Sequence, residues 1–222
     1  TLFLQACPHY EELQTRLAQT LQQKLSPHRT SLALEIGCGP GYTALFVLEH
    51  NPNLNVIAVD NEKVMISQAE GILSNFICKK KVELVLQDAL VYLKTVKKET
   101  FDVFFSGFTL HNFEQTYRHK TLKEIYRVLK KGGLFVNADK YASDDFKQHQ
   151  KDLQWQLKQF DIYEQLKKPY LKKEWVKHYL RDEESDLLMK EHISVQEMQA
   201  IGFSDVEIVY RERMEAILFA RK

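Results

Sequence analysis

Three observations on this 222-residue chain predict an α/β fold, with a parallel sheet covered by helices on both faces. Short apolar runs of strand length recur between residues 32 and 138, with helical patterns between them. The first run ends in a glycine-rich loop, Gly37-Cys38-Gly39-Pro40-Gly41, which opens a helix. Near the end, Val206–Tyr210 and Ala216–Ala220 flank Arg211-Glu212-Arg213, which suits a hairpin and makes the last strand antiparallel. Strands that alternate with helices lie parallel and are buried on both faces.

Each element has its own signal. Leu13, Leu17, Leu21 and Leu25 repeat at four-residue spacing, so residues 10–25 read as an amphipathic helix that Ser26-Pro27-His28 breaks. The strand-like runs are Leu32–Ile36, Asn55–Asp60, Val82–Gln87, Phe101–Ser106 and Leu134–Ala138. Between them stand the helical patterns Tyr42–His50, Glu62–Phe76, Leu90–Lys97 and Glu114–Leu129. Asn51-Pro52-Asn53 and Lys131-Gly132-Gly133 read as stops. Residues 142–192 carry no strand pattern. Phe146, Leu153, Leu157, Phe160 and Tyr163 fit a helix there, Pro169 interrupts, and Trp175, Val176, Tyr179 and Leu180 begin another. Ser194–Ile201 is a further helix, closed by Gly202. The expected organisation is one domain over 1–222: a helical segment (1–30), a core (31–141), a helical lid (142–192) and a helix with the final hairpin (193–222).

Composition excludes more than it assigns. Hydrophobic residues make up 44% of the chain, enough for a real core. Lys and Arg number 31 against 30 Asp and Glu, so net charge gives no reason to expect nucleic acid or a membrane surface as partner. Cys7, Cys38 and Cys78 show no metal-ligand spacing; no metal is expected, and so few scattered cysteines suggest a reducing, cytoplasmic setting. No apolar run is long enough to span a bilayer. The start, Thr1 to Cys7, faintly resembles a lipoprotein cleavage site but lacks a basic leader and a full apolar region.

The glycine loop is where the chemistry begins. Glycines let backbone N–H groups approach a ligand, and the helix behind them turns its positive end to the same spot. A dinucleotide fingerprint would place its third glycine where Tyr42 stands, and a Walker loop would need Gly-Lys-Ser/Thr. Glu35, just before the loop, opposes a pyrophosphate and suits a ligand with an amine. Asp60 ends the second strand, where an acid binds ribose hydroxyls. Asp88 follows the third strand and suits an adenine amino group, with Ala89 beside the ring. Amine, ribose and adenine without phosphate describe S-adenosylmethionine.

In this pattern the chain resembles the class I S-adenosylmethionine-dependent methyltransferases. The pieces are Glu35-Ile36-Gly37-Cys38-Gly39-Pro40-Gly41, Val59-Asp60-Asn61, Gln87-Asp88-Ala89, Phe101 to Ser106, and Leu129 to Phe135, in family order. The resemblance implies a Rossmann-like three-layer sandwich whose seven-stranded sheet is mostly parallel with an antiparallel last strand. It implies S-adenosyl-L-methionine as cofactor and S-adenosyl-L-homocysteine as product. It places Gly37, Cys38, Gly39 and Gly41 under the methionine part, Glu35 either behind the residues that touch the cofactor or near its amino group, Asp60 with Asn61 at the ribose, and Asp88 with Ala89 at the adenine. Residues 106–112 fall near the methyl, with Ser106 in the cofactor site and His111 as candidate general base. For Asn61 and Asp88 the plainer reading is a strand-end turn; for His111 it is a histidine packed on the next helix. Asp139, Lys140 and Tyr141 follow the fifth strand and either face the pocket or end a solvated strand.

A finer resemblance rests on Pro8-His9-Tyr10-Glu11-Glu12-Leu13, Phe108 to Phe113 and the helical insert. These are similar to a bacterial subgroup that includes the carboxy-S-adenosylmethionine synthases of the wobble-uridine pathway. In that subgroup the tyrosine corresponding to Tyr10 lies near the cofactor. The synthases hold the extra carboxylate with an arginine; Tyr179 stands near that position and Arg181 is out of alignment. The expected function is methyl transfer to a small-molecule acceptor, with no membrane or nucleic-acid partner and a homodimer as candidate assembly. The alternatives are a carboxy-S-adenosylmethionine synthase-like enzyme, a catalytically silent cofactor-binding partner protein, and a nicotinamide oxidoreductase. The lid aromatics Trp155, Phe160, Tyr163, Tyr170, Trp175 and Tyr179 either line an apolar acceptor pocket or form the lid's own core.

Overall fold

The computed structural model describes residues 5–222; residues 1–4, on which the lipoprotein-like start partly falls, lie outside them. Helix α1 (Tyr10–Lys24) buries Leu13, Leu17 and Leu21, the residues of the four-residue repeat. Then come β1 (Ser31–Ile36), α2 (Tyr42–His50), β2 (Leu54–Asp60), α3 (Lys63–Ile72), α4 (Ser74–Cys78), β3 (Val82–Leu86), α5 (Ala89–Thr95) and β4 (Phe101–Gly107). A short 3-10 turn (Leu110–Asn112) leads to α6 (Gln115–Val128) and β5 (Leu129–Lys140). The lid helices α7 (Phe146–Gln159), α8 (Ile162–Gln165) and α9 (Pro169–Arg181) follow, then α10 (Glu191–Ile201), β6 (Ser204–Glu212) and β7 (Glu215–Arg221).

The seven strands form one sheet in the order β3-β2-β1-β4-β5-β7-β6. Neighbours from β3 to β5 pair in parallel. Strand β7 slots between β5 and β6 and runs antiparallel to both. The chain travels outward from β1 to β3, then returns to lay β4 on the other side of β1. That reversal opens a crevice at the carboxyl ends of β1 and β4, where open α/β sheets bind ligands.

Alternate residues of the central strands feed two cores. Val103 and Phe105 pack with Leu17, Val47 and Ala69 under α1–α3. Phe104 points the other way and packs with Leu93, Ile125 and Met198 of α5, α6 and α10. Burying each such side chain contributes about 1.5–3 kcal/mol. The lid is tied at its root: Ala142 N–H donates to the Met189 carbonyl at 2.8 Å, and Glu191 N–H to the Ala142 carbonyl at 3.1 Å.

Two expectations need correction, and one open alternative is decided. The helix expected over Glu62–Phe76 divides into α3 and α4. Gly71 weakens the last turn of α3, and the fully buried Leu73 turns into the core behind Gly41. Lys131-Gly132-Gly133 does not stop an element: β5 runs through it, with an irregular register between Phe101 and Val103 and Gly132 at φ +73°. The lid aromatics mostly form the lid's own core. Phe160, Tyr163 and Tyr179 are buried together with Leu153 and Met214, with Trp175 packed against them. Tyr170 is exposed, and Trp155 stacks on His9 at 5.4 Å. Among the described residues no helix is long and apolar enough to cross a membrane.

Candidate functional site

The glycine loop leaves β1 at the reversal point and enters α2 through Gly41 (φ +92°). Its glycines do different work. A Cβ on Gly37 (φ +62°) would meet Thr109 Cγ2 at 2.2 Å, and one on Gly41 would meet Leu73 Cδ1 at 2.9 Å, so both permit close packing. Gly39 (φ +53°) has nothing within 4 Å of its Cβ position, so its backbone faces open space.

Two crevices flank this loop. The first, of about 300 Å³, is lined by six of the residues expected at the cofactor: Gly37, Gly39, Asp60, Asn61, Asp88 and Ala89. The second, of about 310 Å³, is lined by Tyr10, Gly37, Cys38 and Gly39. Met65 and Phe108 line both.

The acids are held by backbone. Asp60 Oδ2 accepts from Gly39 N–H and Oδ1 from Glu62 N–H, each at 2.8 Å, so the acid also fixes the loop. Asp88 caps α5: its Oδ1 accepts from Val91 N–H at 2.9 Å, while Oδ2 accepts from the Tyr117 hydroxyl at 2.8 Å. Both carboxylates keep unused lone pairs on the crevice side of the strand ends. Asp88 is thus a cap and a lining residue together.

Glu35 is fully buried, and neither carboxylate oxygen has a hydrogen-bond partner among the described residues. Burial first, then the Asp60 charge, pushes its carboxyl well above the ordinary carboxylate range. A buried acid without a partner is costly unless a cation or donor reaches it. Glu35 lines neither crevice, so only a donor that reaches past the loop would satisfy it.

Ser106 and His111 line neither crevice. Ser106 Oγ donates to Asn137 Oδ1 at 2.5 Å inside the sheet. His111 is buried behind Phe108, whose ring meets it edge-on at 6.5 Å. Its Nδ1 bonds Asp139 Oδ1 at 2.5 Å, and Asp139 Oδ2 accepts from Leu110 N–H at 2.9 Å and His111 N–H at 3.3 Å. Burial first, then the Lys140 ammonium, lowers the imidazole's pKa and keeps it neutral. Burial opposes ionisation of Asp139, but His111, the Lys140 N–H and the Lys140 charge outweigh it and hold the carboxyl low. An ionised acceptor at Nδ1 puts the proton there and leaves Nε2 as a lone-pair site.

Asp139, Lys140 and Tyr141 therefore do not end a solvated strand: all three are buried. Lys140 pairs with Asp182, the residue that follows α9, and lies 4.0 Å above the Tyr179 ring, which latches the lid to β5. Ligand-type atoms of His111, His178 and Asp182 lie within 4.8 Å of one another. Lys140 already brings a positive charge to this cluster, which is the charge that a metal would supply. Tyr117 and Met65 are lining residues that spacing did not single out; Phe108 was expected only as part of the run near the methyl, and Trp175 only as one of six lid aromatics.

Residues 33–133 match the family model described as a methyltransferase domain. A carboxy-S-adenosyl-L-methionine synthase from Shewanella pealeana is 27% identical over 72% of this chain and 65% of that protein, so the chain spans just under two thirds of this relative's length. Among solved structures, the CurJ carbon methyltransferase superposes with a TM-score of 0.67 at 17% identity, over 94% of this chain and 53% of that one. Phosphoethanolamine N-methyltransferase 2 from Haemonchus contortus, solved with S-adenosylhomocysteine, gives 0.59 at 21% identity, over 86% of this chain and 37% of that one. Sheet order, glycine loop and strand-end acids agree with these comparisons: residues 33–133 are similar to a methyltransferase domain, and the chain has the fold of S-adenosylmethionine-dependent methyltransferases.

Proposed function

We propose that this chain transfers a methyl group from S-adenosylmethionine to a small-molecule acceptor. The observation that carries this reading is the set of strand-end acids: Asp60 and Asp88 line the first crevice at positions suited to ribose and adenine, and Glu35, a buried acid without a partner, stands just before the glycine loop. When bound, the cofactor supplies a methyl on a sulfonium: the acceptor's lone pair takes the carbon, and the old bonding pair stays on sulfur. Asp60 and Asn61 orient the sugar, Asp88 and Ala89 frame the base, and Tyr10 closes over the methionine side with Phe108, its ring stacked at 5.7 Å. Holding the reactants in line and keeping water out is the main catalytic task left to the protein. His111 is the candidate base, with Asp139 positioning it; a shift of Phe108 exposes Nε2 to the acceptor's proton.

The same reading takes the chain as one cytoplasmic domain with a lid over 142–192, without nucleic acid, and with a homodimer as candidate assembly. The synthase alternative is supported by the names of the relatives. It is opposed by the crevices, because no lysine or arginine is among their lining residues to hold a carboxylate. Arg181 lines a separate groove on the outer face of α9, and Tyr179 is buried in the lid core. A thermal-shift series with S-adenosylmethionine, S-adenosylhomocysteine and NAD tests the proposal. The first two stabilise the protein and NAD does not; no shift with either of the first two refutes it. A silent cofactor-binding partner would show the shift but methylate nothing in cell extracts.

A further inference from the structure

The two crevices differ in charge. Asp60, Glu62 and Asp88 line the first. The second has no ionised residue among its lining residues; Tyr10, Tyr42, Phe108 and Trp175 bring rings to it, and Met65 a thioether. Burial first, then the Glu35 carboxylate, pushes the Tyr10 phenol and the Cys38 thiol far up, so both stay neutral. Trp175 is the lid's contribution: of the aromatics in α7–α9, it alone is among the residues lining this crevice. The nucleoside belongs with the acids. The methionine end and the acceptor therefore share the second crevice, on the side of the loop that faces the lid.

We propose that the acceptor is an uncharged one- or two-ring aromatic molecule bearing a hydroxyl or ring nitrogen, held in the second crevice between Phe108 and Trp175. The assignment rests on the methyltransferase reading and deepens it. A cavity of about 310 Å³ is at the small end of ligand sites, and the methionine end takes part of it. An acceptor carboxylate or phosphate would lose its water there beside the methionine carboxylate, with no lysine or arginine among the lining residues to replace it. A neutral ring loses little hydration and gains offset or edge contacts with the two flanking rings. Tyr10 supports this wall: its ring stacks on Phe108 at 12° between planes, so Phe108 is braced from behind.

The test uses the full chain saturated with S-adenosylhomocysteine, with 2-naphthol and its anionic counterpart 6-hydroxy-2-naphthoate as probes. Calorimetry of S-adenosylhomocysteine binding is run first; if it fails, the methyltransferase reading fails and this assignment falls with it. In a Trp155→Phe background, 2-naphthol binds saturably and quenches Trp175, and the naphthoate binds at least tenfold more weakly. Trp175→Ala weakens 2-naphthol at least tenfold more than it weakens S-adenosylhomocysteine, while Trp175→Phe keeps most naphthol binding. Because Trp175 also packs on Phe160, the phenylalanine variant guards against a folding defect. Equal or tighter binding of the naphthoate, no saturable binding of 2-naphthol, or indifference to Trp175→Ala overturns the proposal.

Discussion

Gly39→Ala separates backbone strain from ligand contact. Gly39 sits at φ +53° with nothing within 4 Å of an added Cβ. An alanine there pays only for the left-handed conformation, about 1–2 kcal/mol. For a chain of this size each kcal/mol moves Tm by about 2–4 °C, so unliganded Tm falls by roughly 2–8 °C. The new methyl also stands in the first crevice beside the backbone N–H that Asp60 holds at 2.8 Å. S-adenosylhomocysteine affinity therefore drops at least tenfold, or about 1.4 kcal/mol. Gly132→Ala is the matched control: φ +73°, nothing within 4 Å, and a place in β5 away from both crevices. It loses similar stability and keeps its affinity. Gly37→Ala drives a Cβ to 2.2 Å from Thr109 and destabilises more than either. Differential scanning calorimetry and isothermal titration read both quantities. If Gly39→Ala binds S-adenosylhomocysteine as tightly as the parent, or Gly132→Ala loses affinity equally, the cradle assignment is wrong.

Glu35→Gln replaces an acid that burial favours in its protonated form with a neutral amide, so the unliganded protein keeps its stability at neutral pH while affinity for S-adenosylhomocysteine falls at least tenfold; undiminished titration heats would remove Glu35 from the amine site. Asp139→Ala strands His111 Nδ1–H, three backbone N–H groups and an Asn137 amide contact and costs more than about 3 kcal/mol by urea unfolding; a loss below about 1 kcal/mol would mean that the pair contributes little. Burial raises the Glu215 carboxyl to about 7, against the Lys140 charge that lowers it and with Glu212 that raises it. Its folded value lies above the unfolded one, so the native state keeps a proton that the unfolded chain releases. This stability is present below about pH 4.5 and is lost as pH rises through 7, roughly 3 kcal/mol in total. His178, lowered to about 4 chiefly by burial, acts in the opposite sense over lower pH, so the comparison is Glu215→Gln against the parent across pH 4.5–7.5. The variant's stability curve is flatter on its falling side; parallel curves would refute the shift.

What the sequence could reveal depended on whether a role was carried by spacing or by packing. Glycines at alternate positions after an apolar run require an unusual backbone, and acids just past strands stand at strand ends in any parallel sheet, so the loop, Asp60 and Asp88 were legible. Side-chain direction at the end of β4 was not. Ser106 turns to Asn137 within the sheet, and Phe108 takes a left-handed φ of +53° that no residue type announces. That turn puts the Phe108 ring over the crevice and His111 behind it. Tyr117 reaches Asp88 across 29 residues, and helical periodicity marks only that α6 has an inner face. The lid shows the same limit. A short segment without a strand must build a core from its own side chains, and Phe160, Tyr163 and Tyr179 are spent on it. Their number overstated the pocket; the informative residue is Trp175, which packs on that core and also lines the second crevice. On the proposed reading, acceptor choice is set by a ring that packs on the lid core with one side and lines the crevice with the other, and only the folded chain identifies which ring that is.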